Sequence, residues 1–200
     1  MNRYAKEFAG VLKKRGYNVS FSNDPNEVPV GGIVLYLSCE KIYSKDFLGK
    51  NTHNLVVHAS ALPRGKGWSP LTWQILEGKN SIPITLFEAT EKVDAGKIYH
   101  QSTLELKGNE LLDEIREKLA EKILELVTAF IEEYPNISGK PQEGKGTFYK
   151  KRDPRNSELD PKKTLEEQFN LLRVVDNERY PAFFRHKGRK YTLKIYSEDE

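Results

Sequence analysis

The stretch VVHASALPRGKGW, residues 56–68, decides how the rest of the chain is interpreted. Two valines of the kind that fill buried strands lead into His58, and the residues that follow are rich in Gly, Pro and Lys. Glycine is used where backbone or a ligand must approach closely. We therefore predict that His58 ends a buried strand and faces a reacting group, and that the loop after it borders the bound substrate.

The segments around this stretch alternate between strand and helix patterns. The short apolar runs 31–38 and 54–58 are typical of strands that are covered on both faces. Residues 69–78 have a helical pattern, and residues 81–90 and 97–106 have strand patterns. This order predicts an α/β fold built on a parallel sheet with crossover connections.

The two ends of this region also carry clear patterns. Residues 2–15 predict an amphipathic helix, and YNVSFS (17–22) alternates as a strand does. The longest apolar stripe in the chain predicts a helix from Asn109, as N-cap, to the vicinity of Pro135.

Composition changes after Tyr134. Residues 135–161 are polar and rich in Gly and Pro, which predicts a long loop or linker. Thr164 and Glu167 have the spacing of a capping box and predict a helix, and residues 180–196 predict two strands across a Lys-Gly turn. We therefore divide the chain into a catalytic domain, residues 1–140, and a small α+β subdomain, residues 141–200.

Charge and cysteine usage limit the class of partner. With 32 Lys and Arg against 29 Asp and Glu, the formal net charge is only +3, so no nucleic-acid partner is expected. Basic clusters at 149–155 and 185–190 suit a smaller anion such as a nucleotide phosphate. A single cysteine, Cys39, excludes an internal disulfide and a thiolate metal site, and is expected to be a small buried residue.

Localisation and metal content follow from the same counts. No apolar run approaches the roughly 20 residues that span a bilayer, so we predict a cytoplasmic protein without a membrane partner. The remaining histidines show no metal-ligand spacing, and no metal is predicted.

His58 and Asp94 form the candidate catalytic pair. Asp94 follows the strand pattern 81–90 and stands just before Gly96 in a tight turn. In open α/β sheets ligands bind at the carboxyl ends of strands. We expect the two side chains to converge there.

The residues from His58 onward resemble the signature of the folate-dependent formyltransferases. HASALPRGKGWSPLTWQILEG, the strand SIPITLFEAT and the turn EKVDAGKI match in order the family's HPSLLPxxRG loop, its helix, its TGVTxH strand and its xxxDxGxI turn. In the tail, FYKKRDPRNSELD and LLRVVDNERYPAFF resemble the corresponding run of sugar-modifying and methionyl-tRNA formyltransferases. The resemblance implies a Rossmann-like fold, shortened at its front because only 57 residues precede His58.

The resemblance also implies a reaction and its residues. The family transfers a formyl group from N10-formyltetrahydrofolate to an amine, so His58 would stabilise the oxyanion and Asp94 would orient the histidine and help to pass the amine proton. Family members have an asparagine two residues before the histidine, where this chain has Val56. Asn54 is the nearest asparagine and the third catalytic candidate, although strand geometry places it roughly 13 Å from His58.

The resemblance further implies folate and acceptor sites. The pterin would lie between residues 38–43 and 88–94, with cofactor-binding candidates Cys39, Lys41, Ile42, Leu86, Glu88, Ala89, Thr90, Lys92 and Val93. Because the front of the domain is short, acceptor phosphate contacts are expected from the basic and aromatic tail. The substrate-binding candidates are Lys66, Gly67, Trp68, Tyr149, Arg152, Arg173, Tyr180 and Phe183.

Four functions are compatible with these residues. The first is N-formylation of a nucleotide-linked sugar, for which a UDP-4-amino-4,6-dideoxy sugar of the pseudaminic acid route is the nearest resemblance. The second is formylation of methionyl-tRNA, and the third is formylation of a carrier-bound amino acid. The fourth is a non-catalytic folate-binding protein, which the valine at position 56 motivates. A homodimer through the tail is also expected.

Overall fold

Four strands with buried apolar side chains form the centre of the structure. The computed structural model describes residues 2–39 and 41–198, with side chains from Tyr4 onward. The central sheet has the order β1-β2-β4-β5, and two further strand pairs, β3-β6 and β7-β8, lie outside it. The strands are β1 Ile33–Tyr36, β2 His53–His58, β3 Lys66–Gly67, β4 Ser81–Glu88, β5 Ile98–Glu105, β6 Phe148–Tyr149, β7 Ala182–His186 and β8 Arg189–Leu193.

The central sheet is mixed, not parallel as predicted. β1 and β2 run parallel, but β2 and β4 are antiparallel, as are β4 and β5. A parallel connection needs a crossover of about a dozen residues or more, and only residues 89–97 join β4 to β5. The short connection that includes the turn at 91–96 therefore requires β4 and β5 to be antiparallel.

Helices cover the sheet, and their positions agree broadly with the sequence patterns. Ile115, Val127 and Phe130 of α4 are almost fully buried in the main core. Within the described residues no helix is long and apolar enough to cross a membrane. The helices are α1 Asn2–Lys14, α2 Lys45–Leu48, α3 Pro70–Leu76, α4 Leu112–Glu133 and α5 Phe169–Leu172.

The N-cap of α4 is Leu111, so the prediction of Asn109 is wrong. The carboxylate of Glu110 accepts hydrogen bonds from the backbone amides of Lys107 and Gly108, which closes a turn before the helix begins. Glu114 then accepts from the amide of Leu111, so the cap is supplied from inside the helix.

Residues 17–22 form no strand, which also differs from the prediction. Tyr17 and Phe21 are 42% and 40% exposed, and the segment pairs with none of the described strands. Alternation without a buried face or a partner edge does not fix a strand, because most strand stability comes from its neighbours.

The tail has its own small apolar cluster, formed by Leu159, Leu172, Val175 and Ala182. The predicted hairpin is confirmed: β7 and β8 are antiparallel, and Lys187 and Gly188 have the positive φ values of 46° and 78° that such a turn requires. The predicted capping box also forms, with the amide of Glu167 donating to Thr164 and that of Thr164 to Glu167. It starts only a short 3-10 turn and α5.

Arg173 joins the tail to the main core, and this corrects its assignment to an acceptor phosphate. Its side chain is 0% exposed, and its guanidinium donates to the backbone oxygen and the carboxylate of Glu110 and to the side-chain oxygen of Asn80. Phe183 is likewise unavailable to stack on a nucleobase, since it is 4% exposed. Arg173 thus holds the tail against the main core.

Glu110 makes this connection sensitive to acid. Burial alone raises the pKa of its carboxyl, but the salt bridge with Lys118 and the backbone amides outweigh it and lower the pKa to about 2. A lowered pKa in the folded state stabilises the protein above the ordinary carboxyl pKa of 4.5, and that stabilisation disappears as the pH falls towards 2.

We predict that the free energy of unfolding falls by roughly 3 kcal/mol between pH 4.5 and pH 2 on account of Glu110. Glu110→Gln should remove this pH dependence and destabilise the protein at pH 7 by about 3–5 kcal/mol, because the cation of Arg173 stays buried without its partner. Urea titrations at several pH values measure both effects. The control is Glu125→Gln, since Glu125 pairs with Lys122 on the surface and should give a change below about 1 kcal/mol. Equal effects at the two positions would contradict the prediction.

Candidate active site

His58 is held by the backbone of the loop that follows it. Its Nε2 lies 2.9 Å from the backbone oxygen of Gly65, and a carbonyl only accepts, so Nε2 carries a proton. No described residue hydrogen-bonds Nδ1. The side chain of His58 is only 10% exposed.

Asp94 meets the same edge of this ring. Its Oδ2 is 3.6 Å from Nε2 of His58 and accepts a 2.8 Å hydrogen bond from the backbone amide of Gly67. Its side chain is 14% exposed. The predicted convergence of the two side chains is thus confirmed in the geometry of the fold.

The expectation that His58 and Asp94 meet because neighbouring strands end at the same edge of the sheet is wrong. Because β2 and β4 are antiparallel, His58 pairs with Thr85 in the middle of β4, and the end of β4 lies beside the start of β2. The connection between β4 and β5 folds back so that Asp94 reaches the end of β2. Asp94 has φ 46°, a left-handed conformation that aspartate adopts more readily than most residues.

A segment of the linker closes over both residues. Residues 140–150, here called the strap, pair with the loop after His58 through β6 and β3, so that the amides of Lys66 and Trp68 donate to the backbone oxygens of Thr147 and Tyr149. The side-chain oxygen of Thr147 accepts from the amide of Gly65, the residue whose carbonyl holds His58. The polar linker predicted for this region is thus an ordered part of the site.

Gln142 connects the strap to the other half of the pair. Its Nε2 donates to the backbone oxygens of Asp94 and Gly96, both at 2.9 Å. Gln142 and Thr147 were missed in the sequence because neither stands in a motif with His58 or Asp94. In the sequence they are marked only by their position in a polar linker to which no function was assigned.

Asn54 does not belong to this site, which corrects the third catalytic candidate. Its side-chain amide donates to the backbone oxygen of Leu48 and accepts from the hydroxyl of Tyr36, and the residue is 4% exposed. It therefore ties α2 and β1 to the start of β2, at the opposite end of the strand from His58.

The two loops predicted to hold a pterin lie side by side. The amide of Lys45, at the start of the helix that follows the first loop, donates to the carboxylate of Glu91 in the second loop. Ile42 and Val93 are 59% and 43% exposed, so each loop presents an apolar side chain to solvent. The loops also carry Lys41, Ala89, Thr90 and Lys92, whereas Glu40 lies outside the described residues.

Three of the folate candidates need a different interpretation. Leu86 is 0% exposed and belongs to the core. The carboxylate of Glu88 accepts from the amide of Asn54 and the hydroxyl of Tyr99, which occupies its side chain. Cys39 is exposed, contrary to the prediction that it is buried, with its sulfur 3.5 Å from the hydroxyl of Tyr43.

An aromatic and basic surface adjoins the loop after His58. Nζ of Lys151 lies 4.1 Å from the ring centroid of Trp68, and Tyr149 stacks on Trp73. Burial and a hydrogen bond to Glu77 raise the pKa of Tyr149 to about 12, so its hydroxyl stays protonated. Arg152 is partly buried and Tyr180 is 39% exposed, while Lys66 is half-buried in β3.

The glycine at position 67 accommodates the strap. A Cβ built there would lie 2.6 Å from the backbone oxygen of Tyr149, and the residue has φ 90°. Its amide is already donated to Asp94. The space predicted for a substrate at Gly67 is thus occupied by backbone of the same chain.

A largely buried histidine and carboxylate thus meet at one edge of an α/β sheet, with two loops beside them. The Formyl transferase family matches residues 24–131. The chain belongs to this family.

The comparisons also give individual relatives. The methionyl-tRNA formyltransferase of Flavobacterium psychrophilum is 30% identical over 155 residues, which are 72% of this chain and 47% of that protein. The chain therefore spans about half the length of that curated relative.

Three solved structures share the fold. A methionyl-tRNA formyltransferase from Clostridium thermocellum has a TM-score of 0.82 at 22% identity, over 98% of this chain and 89% of that one. A 4-N formyltransferase from Francisella tularensis has a TM-score of 0.69 at 19% identity, over 98% and 84%. HypX from Aquifex aeolicus, in complex with tetrahydrofolic acid, has a TM-score of 0.74 at 18% identity, over 96% and 35%.

We predict that Gly67→Ala separates the strap from the loop after His58. The added methyl group would meet the carbonyl of Tyr149, and the alanine would have to keep the positive φ of Gly67. The loss of stability should therefore exceed the roughly 1–2 kcal/mol that the backbone conformation alone would cost. Gly188→Ala is the matched control, because Gly188 has φ 78° with nothing within 4 Å of its Cβ position. Urea unfolding measures both, and an equal loss in the two variants would contradict a close approach at Gly67.

Proposed function

We propose that this protein transfers a formyl group from N10-formyltetrahydrofolate to a primary amine. The observation that carries the proposal is the contact between His58 and Asp94 at 3.6 Å, in a chain of the Formyl transferase family. A histidine and a carboxylate in contact, both largely buried, supply the proton donor and acceptor that amide formation from an amine requires.

The residues divide the chemistry between them. Attack of the amine nitrogen on the formyl carbon forms the new C–N bond and moves negative charge to the formyl oxygen. A proton on Nδ1 of His58 stabilises that oxygen, while the Nε2 proton remains with Gly65. Asp94 accepts the proton that the amine nitrogen loses, directly or through water, and this proton ends on the folate nitrogen when the old C–N bond breaks.

The described loops fit a folate. A pterin needs apolar cover on its faces and backbone hydrogen bonds at its amide edge. Ile42 and Val93 offer exposed apolar side chains on the two loops, and Lys45, in the helix just after the first loop, bonds to Glu91 of the second. When bound there, N10-formyltetrahydrofolate supplies the activated one-carbon group.

We propose a nucleotide-linked amino sugar, with a UDP-4-amino-4,6-dideoxy sugar as the first choice, as the acceptor. The aromatic and basic surface beside the loop after His58 supports this choice, because Trp68 and Tyr149 are suited to rings and Lys151 and Arg152 to phosphates. A 4-N formyltransferase among the structures of the same fold is consistent with it. The cytoplasmic location and the homodimer stay predictions.

Methionyl-tRNA is the second candidate acceptor. The curated relative at 30% identity carries that name, and so does the structure from Clostridium thermocellum, of which this chain covers 89%. These two names support methionyl-tRNA as the alternative acceptor.

We predict that His58→Ala and Asp94→Asn each lower kcat/KM for formyl transfer by about 10²–10⁴-fold, because each removes one side of the proton transfer. Release of tetrahydrofolate, followed by absorbance, measures the rate. His186→Ala is the control, since His186 lies in the β7–β8 hairpin, and should keep its full activity. Binding of folate to the wild-type protein without formylation of any amine would favour the non-catalytic alternative.

A comparison of turnover with the different classes of acceptor identifies the substrate. We expect turnover with one of a panel of UDP- and dTDP-linked amino sugars and none with methionyl-tRNA or a carrier-bound amino acid. If methionyl-tRNA is the acceptor, its binding should weaken steeply with salt, since several phosphates would release counterions. Turnover with tRNA alone would overturn the sugar assignment and leave the catalytic pair unchanged.

A further inference from the structure

We propose that the strap positions the catalytic pair, with Gln142 acting on Asp94 and Thr147 acting on His58. The significance of these contacts for the reaction rests on the proposed function. Neither residue touches the imidazole of His58 or the carboxylate of Asp94, because the side chain of Gln142 binds backbone oxygens and that of Thr147 binds the backbone amide of Gly65. They are therefore positioning residues, not catalytic ones.

The Asp94 turn needs such support. Asp94 adopts φ 46°, a left-handed conformation that non-glycine residues adopt only occasionally. A Cβ at Gly96 would lie 1.6 Å from the backbone oxygen of Glu88, so the two ends of the turn are in close contact. Nε2 of Gln142 binds the carbonyls of Asp94 and Gly96 together and so holds the turn in this conformation.

The His58 side is held by a chain of two hydrogen bonds. Oγ1 of Thr147 accepts from the amide of Gly65, and the carbonyl of Gly65 accepts from Nε2 of His58. Both contacts pass through one residue. The backbone amide of Thr147 also donates to the carbonyl of Pro63, and its backbone oxygen accepts from Lys66.

The two contacts belong to one continuous segment, and this makes the strap the common support of the pair. At its start, Lys140 pairs with Ile98 through two backbone hydrogen bonds of 2.8 Å. Near its other end, Tyr149 accepts from the amide of Trp68. A shift of the strap therefore changes the position of Asp94 relative to His58.

Gln142→Met tests the first contact, because methionine has a similar size and no donor. We expect the amide of Gly67, which is bonded to the Asp94 carboxylate, to exchange its hydrogen at least tenfold faster than in the wild-type protein. The amide of Trp68, bonded to Tyr149, is the internal reference and should be unaffected. Exchange measured by NMR gives this result without any substrate.

Gln168→Met is the matched control. Nε2 of Gln168 also donates to backbone oxygens, those of Asp160, Lys163 and Thr164, but in the tail. It should lower stability without changing exchange at Gly67 or kcat. An unchanged Gly67 amide in Gln142→Met, or an equal change in Gln168→Met, overturns the proposal.

A double-mutant cycle tests the effect on the reaction. Gln142→Met should lower kcat by about 10-fold or more in the wild-type background and have no further effect in Asp94→Asn, since both changes act on the same carboxylate. Full additivity would overturn the assignment to Asp94. Thr147→Val, which removes the acceptor of the Gly65 amide at constant size, should lower kcat similarly, and Thr147→Ser should restore it.

The failure of the proposed function has a different signature. If the wild-type protein formylates no amine but the Gly67 amide still responds to Gln142→Met, the positioning stands and the reaction is wrong. If formylation occurs and Gln142→Met changes neither exchange nor kcat, the reaction stands and the positioning is wrong.

Discussion

The carboxylate of Asp94 is the point on which the rest of the site depends. One of its oxygens accepts the amide of Gly67 and stands 3.6 Å from the imidazole of His58, so it links the turn before β5 to the loop after β2. Neither connection is part of the central sheet. The sheet supplies a rigid base, but the relative position of the two functional groups is set by loops and therefore by hydrogen bonds to their backbone.

A second polar cluster lies at the start of β2, at the opposite end of this strand from His58. The carboxylate of Glu88 accepts from the hydroxyl of Tyr99 and the amide of Asn54, and it lies 3.1 Å from Nδ1 of His53. The ring of His53 is packed edge-on against Phe130 and Tyr99. Because Glu88 is also the residue at which the connection to β5 begins, this cluster fixes where that connection starts, and the strap fixes where it turns.

The sequence was sufficient for the elements whose signal is local. The apolar stripe of α4, the Lys-Gly turn of the hairpin and the position of β2 all follow from periodicity or turn chemistry that a few neighbouring residues determine. The strand patterns themselves did not show direction, since β4 and β5 look alike in either direction; the short connection 89–97 requires the antiparallel pair. The boundary at Leu111 also depended on distant residues, because Glu110 is turned inward by Arg173 and Lys118.

The candidate site shows the same division. His58 and Asp94 were accessible to sequence reasoning because each stands beside a strand pattern and within a family motif. Arg173 and Phe183 were misassigned because charge and aromaticity were interpreted without burial, and Leu86 because a family resemblance does not show burial either; burial is decided by the whole fold.

The glycines of the loop after His58 explain why a motif does not by itself specify a ligand. The absence of a side chain at Gly67 indicates that something approaches closely, and in the folded chain that partner is the carbonyl of Tyr149. Sequence cannot distinguish a substrate from a segment of the same chain, since both require the same empty volume. The strap occupies that volume and also supplies the hydrogen bonds at Gly65 and Asp94. One segment of the chain therefore both packs against Gly67 and contacts the backbone around His58 and Asp94.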